Sequence, residues 1–356
     1  KAIILYTQIF DKFPNETYKW LINLAYMTIG KHPDGVPEKY FINHPNWNIE
    51  RKEFPAFKEV ALDLGIAHDG LSGGVSVEDF NNDGLIDIFM TSYGMTDQSK
   101  LFINTGKGFI DQTEESGLKG IVSGLNCIHA DYDNDGNIDI FILRGAWLGR
   151  GGNHPNSLLK NNGDGTFTDV TKAVGLLSFH PTQTAAWADV NNDGFLDLFI
   201  GNESGKSQSH PCELYINQKN GRFLEQSANY NLSSIEGFVK GVAFGDINND
   251  NWPDLYLSVM GGANLLFRND FGKCKDISKT AGVQGPKFSF PTWLWDVNND
   301  GFIDIFVASY DTSNLKNLAG DYAKEIQGDE VLTNKSRLFM NNGDETFSDQ
   351  SKKYNI

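Results

Sequence analysis

The sequence predicts an all-β propeller with five recognisable four-stranded blades, preceded by a short N-terminal α-helical hairpin. Three observations predict it. An acidic motif recurs as DFNNDGLIDI from residue 79, DYDNDGNIDI from 131, DVNNDGFLDL from 189, DINNDNWPDL from 246 and DVNNDGFIDI from 296. Between the copies a second element recurs: LFINTGKGFIDQTEESGL, LLKNNGDGTFTDVTKAVGL, LYINQKNGRFLEQSANYNL, LFRNDFGKCKDISKTAGV and LFMNNGDETFSDQSKKYNI. Neither element shows helical periodicity, and a period of roughly 50 residues marks an array whose units cannot bury their apolar faces alone.

The N-terminal residues differ from this array. AIILYTQIFDKF and ETYKWLINLAYMTIG carry apolar residues at helical spacing, with Asn15 placed to cap the second helix and Gly30 to stop it. Residues 1–30 are therefore expected to form a helical hairpin, either of the tetratricopeptide type or as a plain capping pair. Residues 31–53, rich in Pro, Asn and His, read as a linker, and 54–356 as the propeller. The chain begins on Lys1 inside the helical pattern, which reads as a piece of a longer polypeptide.

Within each repeat, strand A ends at the first Asp of the motif, the acidic loop follows, and the apolar run after it is strand B. The second element supplies strands C and D around an Asn/Gly turn. Four antiparallel strands per repeat suit a propeller blade. FKEVALDLGI, at 57–66, copies only the last part of a repeat.

Bulk properties narrow the function. The 356 residues are 40% hydrophobic and 21% charged, as in ordinary globular proteins. A net charge of −16 argues against a nucleic-acid partner, because phosphate binding needs the opposite sign. No apolar run is long enough to span a membrane. Cys127, Cys212 and Cys274 are too far apart for a CxxC zinc site and are odd in number, so they make no disulfide framework.

The motif D-x-[DN]-x-D-G-x-x-D places oxygen ligands at positions 1, 3, 5 and 9 and a backbone carbonyl at 7, as a short loop must to wrap a hard cation. The expected ligands are Asp79, Asn81, Asp83, Leu85 and Asp87 in the first loop, and Asp131, Asp133, Asp135, Asn137 and Asp139 in the second. The third offers Asp189, Asn191, Asp193, Phe195 and Asp197. The fourth offers Asp246, Asn248, Asp250, Trp252 and Asp254, and the fifth Asp296, Asn298, Asp300, Phe302 and Asp304. A flexible all-oxygen loop suits Ca2+ better than Mg2+, so about five Ca2+ sites are expected. In the fourth copy Asn251 stands where the others have Gly, and Asn tolerates the left-handed backbone that this turn needs.

An EF-hand would require Glu at position 12 and flanking helices. Here that position is Met90, Ile142, Ile200, Leu257 or Val307, each inside an expected strand. The plainer alternative, Asx turns without an ion, would leave three carboxylates per loop (four in the second) clustered unneutralised beside a core, which is costly.

These loops resemble those of the FG-GAP/VCBS repeat family, whose blades also build the integrin α-subunit propeller. With the lead-in LINLAYMTIGKHPDGVPEKY, the resemblance is closest to bacterial relatives of cartilage acidic protein, which often join such blades to tetratricopeptide helices. It implies bound Ca2+, an extracellular, cell-surface or periplasmic setting, and a ring that usually has seven blades. Five complete copies and the partial one at 57–66 depart from seven, so further blades or subunits completing the ring are an expectation too.

Propeller connectivity puts A–B and C–D loops on one face, B–C and D–A loops on the other. Calcium loops thus act as structural staples, and function moves to the opposite face, where long loops on a rigid scaffold hold binding groups. Arg144 to Ser157, Asn202 to Pro211 and Tyr310 to Ser336 are the long B–C insertions. Arg144, Trp147, Arg150, His154, His180, Glu203, His210, Tyr310 and Asp311 are the expected ligand-binding residues there, for carbohydrate or protein. Three readings stay open: a calcium-stabilised binding module, a lyase or metal-dependent oxidase with a transition metal on converging histidines, and a structural subunit of a larger assembly. Trp187, Trp293 and Trp295, on inner strands, are expected to pack against neighbouring rings.

Overall fold

The computed structural model describes residues 1–43, 57–205, 208–311, 318–328, 334–354 and 356. It divides into two compact units, Lys1–Lys58 with Tyr310–Lys335, and Glu59–Ser309 with Ser336–Ile356. The expected boundary between linker and propeller at 53/54 lies outside the described residues.

In the first unit, α1 (Ala2–Lys12) and α2 (Glu16–Met27) form the expected hairpin. The Asn15 side chain accepts a hydrogen bond from the Thr17 amide at 2.7 Å and so caps α2. Gly30 stops the chain in a left-handed conformation, φ +67°. Asn23 is buried on α2 and donates to the Tyr40 carbonyl at 2.7 Å, holding the following segment on the hairpin.

The second unit holds the blades and one-turn helices at their corners: α3 (Ala61–Leu64), α4 (Thr171–Val174) and α5 (Ser278–Ala281). Blade 1 comprises β1 (Val75–Glu78), β2 (Asp87–Met90), β3 (Lys100–Asn104) and β4 (Phe109–Asp111). Blade 2 comprises β5 (Asn126–Ala130), β6 (Asp139–Leu143), β7 (Ser157–Asn161) and β8 (Phe167–Asp169). Blade 3 is β9 (Thr182–Ala188), β10 (Asp197–Asn202), β11 (Glu213–Asn217) and β12 (Phe223–Glu225). Blade 4 is β13 (Val239–Gly245), β14 (Asp254–Val259), β15 (Leu265–Asn269) and β16 (Cys274–Asp276). Blade 5 is β17 (Ser289–Trp295), β18 (Asp304–Ser309), β19 (Arg337–Asn341) and β20 (Phe347–Asp349). Each is an antiparallel sheet in sequence order, so the all-β blade architecture stands.

One insertion departs from expectation. Tyr310 to Ser336 reads in the sequence as an irregular B–C loop, but it contains α6 (Leu318–Ile326), which packs on α2 in the first unit. Gly320 allows the contact: a Cβ there would lie 2.8 Å from Thr17 Oγ1.

The cores lie between blades, because each sheet is apolar on both faces. Phe89 and Leu101 meet Cys127 and Ile140; Phe141 and Leu158 meet Ala185 and Leu198. Phe199 and Leu214 meet Val242 and Leu255; Tyr256 and Leu266 meet Ile305 and Val307. Burying each such side chain contributes about 1.5–3 kcal/mol.

Polar bonds reinforce the same interfaces. The last Asn of strand C donates to its own loop and to the loop of the blade before it. Asn161 reaches the Phe80 carbonyl, Asn217 that of Tyr132, Asn269 that of Val190 and Asn341 that of Ile247, at 2.8–2.9 Å. In the other direction the fourth loop residue, left-handed in every copy, reaches the loop of the following blade. Asn82 donates to Asn137 Oδ1, Asn134 to the Gly194 carbonyl, Asn192 to that of Asn251 and Asn249 to that of Gly301, at 2.9–3.0 Å. Asn217→Ala orphans the buried Tyr132 carbonyl and the half-buried Leu196 carbonyl, and chemical denaturation should show a loss of about 2–3 kcal/mol. Asn104→Ala removes two exposed bonds, one donated to the Ile86 carbonyl and one accepted from the Gly106 amide, and should lose about 1 kcal/mol, less than Asn217→Ala.

Candidate functional site

Each acidic loop is drawn into a ring by its own backbone amides. In the third, Asp189 accepts from the Asp193 and Gly194 amides at 2.9 and 2.7 Å, and Asp193 from the Phe195 amide at 3.0 Å. The ninth-position Asp closes the ring from below. Asp197 is buried and accepts from the Val190 amide at 3.1 Å and the Asn217 amide at 2.8 Å, fixing strand C to the loop. Asp87, Asp139, Asp254 and Asp304 repeat both bonds. Asn251 takes φ +67°, the conformation glycine supplies in the other copies.

The electrostatics ask for a cation. Burial pushes Asp139, Asp197 and Asp254 up to about 7, with the other loop carboxylates adding repulsion, and raises Asp87 and Asp304 for the same reason. Carboxylate oxygens of Asp131, Asp133 and Asp139 lie within 4.8 Å of one another. At position 3, Asp133 Oδ1 and Asn191 Oδ1 are buried without a hydrogen-bond partner. Unspent buried oxygens where a cation would sit fit an all-oxygen metal site. The second loop, with its extra carboxylate, also receives the Lys160 ammonium, bonded to Asp133 and, at 2.9 Å, to Asp135. Burial alone would lower the Lys160 pKa, but these two bonds raise it on balance.

On the B–C side, two groups of the expected residues come together. Glu203 is buried, accepts from the Trp147 amide at 2.8 Å and forms an ion pair with Lys240. The Lys240 ammonium also bonds Gln183 Oε1 at 2.8 Å and lies 3.4 Å from the Trp147 ring centroid and 3.9 Å from that of Phe238. Burial pushes Lys240 down to about 8 and raises Glu203. Trp147 covers this pair while remaining 42% exposed. The second group is His180 and His210, whose Nδ1 atoms are 2.9 Å apart, beside the buried Glu213. Burial first, and His180 second, lower His210, and its Nε2 is buried without a partner.

The remaining expected residues lie apart from these groups. Arg144 is buried, its guanidinium bonded to the Val122 and Pro155 carbonyls and to Ser157 Oγ, so it holds the loop base together. Arg150 is exposed on a short turn, and His154 is half-buried. Tyr310 and Asp311 belong to the helical unit, where Asn334 donates to Asp311 at 2.7 Å. Trp187 stacks among Tyr132, Phe141 and Phe223 as expected. Trp293 and Trp295 pack on the Phe306 ring as expected, while staying about half exposed. Lys240 and Gln183 escaped the sequence reading, although a lysine inside the apolar run FVKGVAF was a visible signal.

Known proteins are similar to this chain in sequence. Cartilage acidic protein 1 of Xenopus tropicalis is 24% identical over 266 residues, covering 66% of this chain and 39% of that protein. The Homo sapiens protein of that name is 27% identical over 246 residues, covering 67% and 35%. A T-cell immunomodulatory protein homolog of Plasmodium falciparum (isolate 3D7) is 25% identical over 351 residues, covering 85% and 47%. The chain thus spans less than half the length of these curated relatives. Among solved structures, the V. cholerae biofilm matrix protein Bap1 aligns with a TM-score of 0.44 and 12% identity, over 78% of this chain and 39% of that one. A model of the FG-GAP-like repeat matches residues 79–142, 131–200 and 189–257, half of the chain. The chain belongs to the FG-GAP-like repeat family.

Proposed function

We propose that this chain is a calcium-stabilised binding module of a cell-surface or matrix protein, holding carbohydrate or protein ligands on its B–C and D–A loops. The observation that carries the calcium reading is the set of position-three oxygens, Asp133 Oδ1 and Asn191 Oδ1, buried without partners inside rings of acidic residues. Asp79, Asp131, Asp189, Asp246 and Asp296, with their loop partners, would hold the ions. The ions supply charge neutralisation beside the core and no reaction step. The names of the cartilage acidic and T-cell immunomodulatory relatives support an extracellular setting. The ligand side rests on Trp147, half-exposed over the Glu203–Lys240 pair, with Arg150 exposed nearby in sequence.

Probing glycan and matrix-protein arrays with the calcium-loaded protein tests the ligand side. Binding is expected, with a loss of at least ~10-fold in Trp147→Ala and in Arg150→Glu. Full binding by both variants moves the ligand off this face. The contact between His180 and His210 favours a second reading, a transition-metal site supporting chemistry. Elemental analysis separates the two: calcium alone supports the binding module, whereas stoichiometric copper, iron or zinc lost in His210→Ala supports the second.

A further inference from the structure

Two residues beyond the last Asn of strand C the chain is left-handed in every blade, at Gly106, Gly163, Lys219, Phe271 and Gly343. Glycine adopts this conformation freely, whereas a bulky side chain there is an outlier. Phe271, at φ +53°, is the aromatic among the five, and its ring is 77% exposed instead of serving the core. Backbone strain of this kind clusters at binding sites. The junction between blades 3 and 4 departs from the repeat at two neighbouring places as well. Strand D of blade 4 begins on Cys274, where the other four begin on Phe. The corner of blade 3 carries Tyr230, where those of blades 1, 2 and 4 have Ser116, Val174 and Ala281. The Cys274 amide donates to the Tyr230 carbonyl at 3.1 Å, which joins the two departures.

These changes surround an open cleft of about 410 Å³ between the two blades. That volume lies within the roughly 300–1,000 Å³ of small-ligand sites. Phe271 meets Trp252, from the acidic loop of blade 4, edge-on at 5.3 Å, and Tyr230 is the third ring of the lining. Three amide side chains complete it. Gln218 donates through Nε2 to the Ile216 carbonyl at 2.9 Å, and Gln226 accepts through Oε1 from Asn229 Nδ2. Gln218 Oε1 and Asn229 Oδ1 are left to accept and Gln226 Nε2 to donate, without partners among the described residues. No carboxylate lines the cleft, in a chain of net charge −16, and the one ammonium there, Lys273, is bonded to the Asn229 carbonyl.

We propose that this cleft binds a neutral saccharide. A pyranose offers an apolar C–H face to Phe271 and Trp252 and a rim of hydroxyls that both donate to and accept from Gln218, Gln226 and Asn229. A charged ligand gains little here, because the lining holds one cation, already bonded, and no anion. The contacts come partly from the acidic loop and hairpin of blade 4, on the side that the sequence reads as structural. The cleft shares no residue with the Trp147 and Arg150 surface, so either ligand site can fail without the other.

Saturation-transfer NMR on the purified calcium-loaded protein tests this with cellotetraose, mannotetraose, chitotetraose and lacto-N-tetraose, and with tetragalacturonate as the charged control. At least one neutral probe should bind with a Kd at or below ~1 mM, and the charged one at least ~10-fold more weakly. Phe271→Gly removes the ring and the strain together, so it should keep or raise Tm while weakening the neutral probe at least ~10-fold. Gln218→Ala, at an exposed position, should weaken it by ~3-fold or more with Tm unchanged, and Trp147→Ala should leave its Kd unaltered. The proposal is overturned if no neutral probe binds, if tetragalacturonate binds as tightly, or if Phe271→Gly and Gln218→Ala both keep the parent Kd. Loss of the same binding in Trp147→Ala, with Phe271→Gly unaffected, overturns it too, by moving the saccharide to the B–C loops.

Discussion

Removing calcium from the purified protein with EDTA should lower its Tm by at least ~10 °C, and added Ca2+ should restore it. A ligand at 100 times its Kd stabilises the folded state by about 2.7 kcal/mol per site, and each kcal/mol shifts Tm by about 2–4 °C in proteins of 150–250 residues. Two occupied loops therefore suffice for the expected shift. The pH dependence carries the same signature. Asp139, Asp197 and Asp254 are raised in the ion-free fold, so the unfolded chain releases these protons first as pH rises. Their contribution to ion-free stability is thus present below pH ~4 and lost as pH climbs towards 7. A bound cation removes that loss, so the calcium-dependent gap in Tm should widen from pH 4 to pH 7. Scanning calorimetry with and without EDTA reads both effects, and a Tm indifferent to chelation at pH 7 would falsify the structural-ion reading.

The second large effect belongs to Lys240. Lys240→Met strands the buried Glu203 carboxylate without its ion-pair partner and should destabilise the fold by about 3–5 kcal/mol at pH 7, by urea unfolding. Most of that is the penalty of an unpaired buried charge, so Lys240→Met with Glu203→Gln should recover more than half of it. The defect of the single variant should also shrink on acidification, because protonated Glu203 no longer needs a counter-charge and burial already raises its pKa. A double variant no more stable than Lys240→Met would show that the loss comes from packing against Trp147 and Phe238 instead.

The acidic loops could be read from the chain because their chemistry is local: ligand positions and turn all fall within nine residues, and repetition supplied the register. The apolar residues at position 12, such as Ile200, were enough to separate them from an EF-hand. Contacts between repeats were much less legible. Asn104, Asn161, Asn217, Asn269 and Asn341 stand at one place in every second element, and in isolation each reads as a turn residue. The bonds of the last four to the preceding blade join positions about eighty to ninety apart, such as Asn161 and Phe80. The Lys240–Glu203 pair was hidden in the same way, since its partners sit on different blades. In α6, DYAKEI follows a helical pattern, but its place inside a B–C insertion outweighed it.

The fourth-position asparagines also have a thermodynamic consequence. Asn134 holds the Gly194 carbonyl and Asn192 the Asn251 carbonyl, so ordering one loop orients the donor side chain of the loop before it. Adjacent sites then share the entropy of becoming rigid, and filling one makes its neighbour easier to fill. On the calcium reading, the loops form a nearest-neighbour chain rather than five independent binders. Occupancy would spread along such an array in runs, neighbouring loops filling together rather than one at a time.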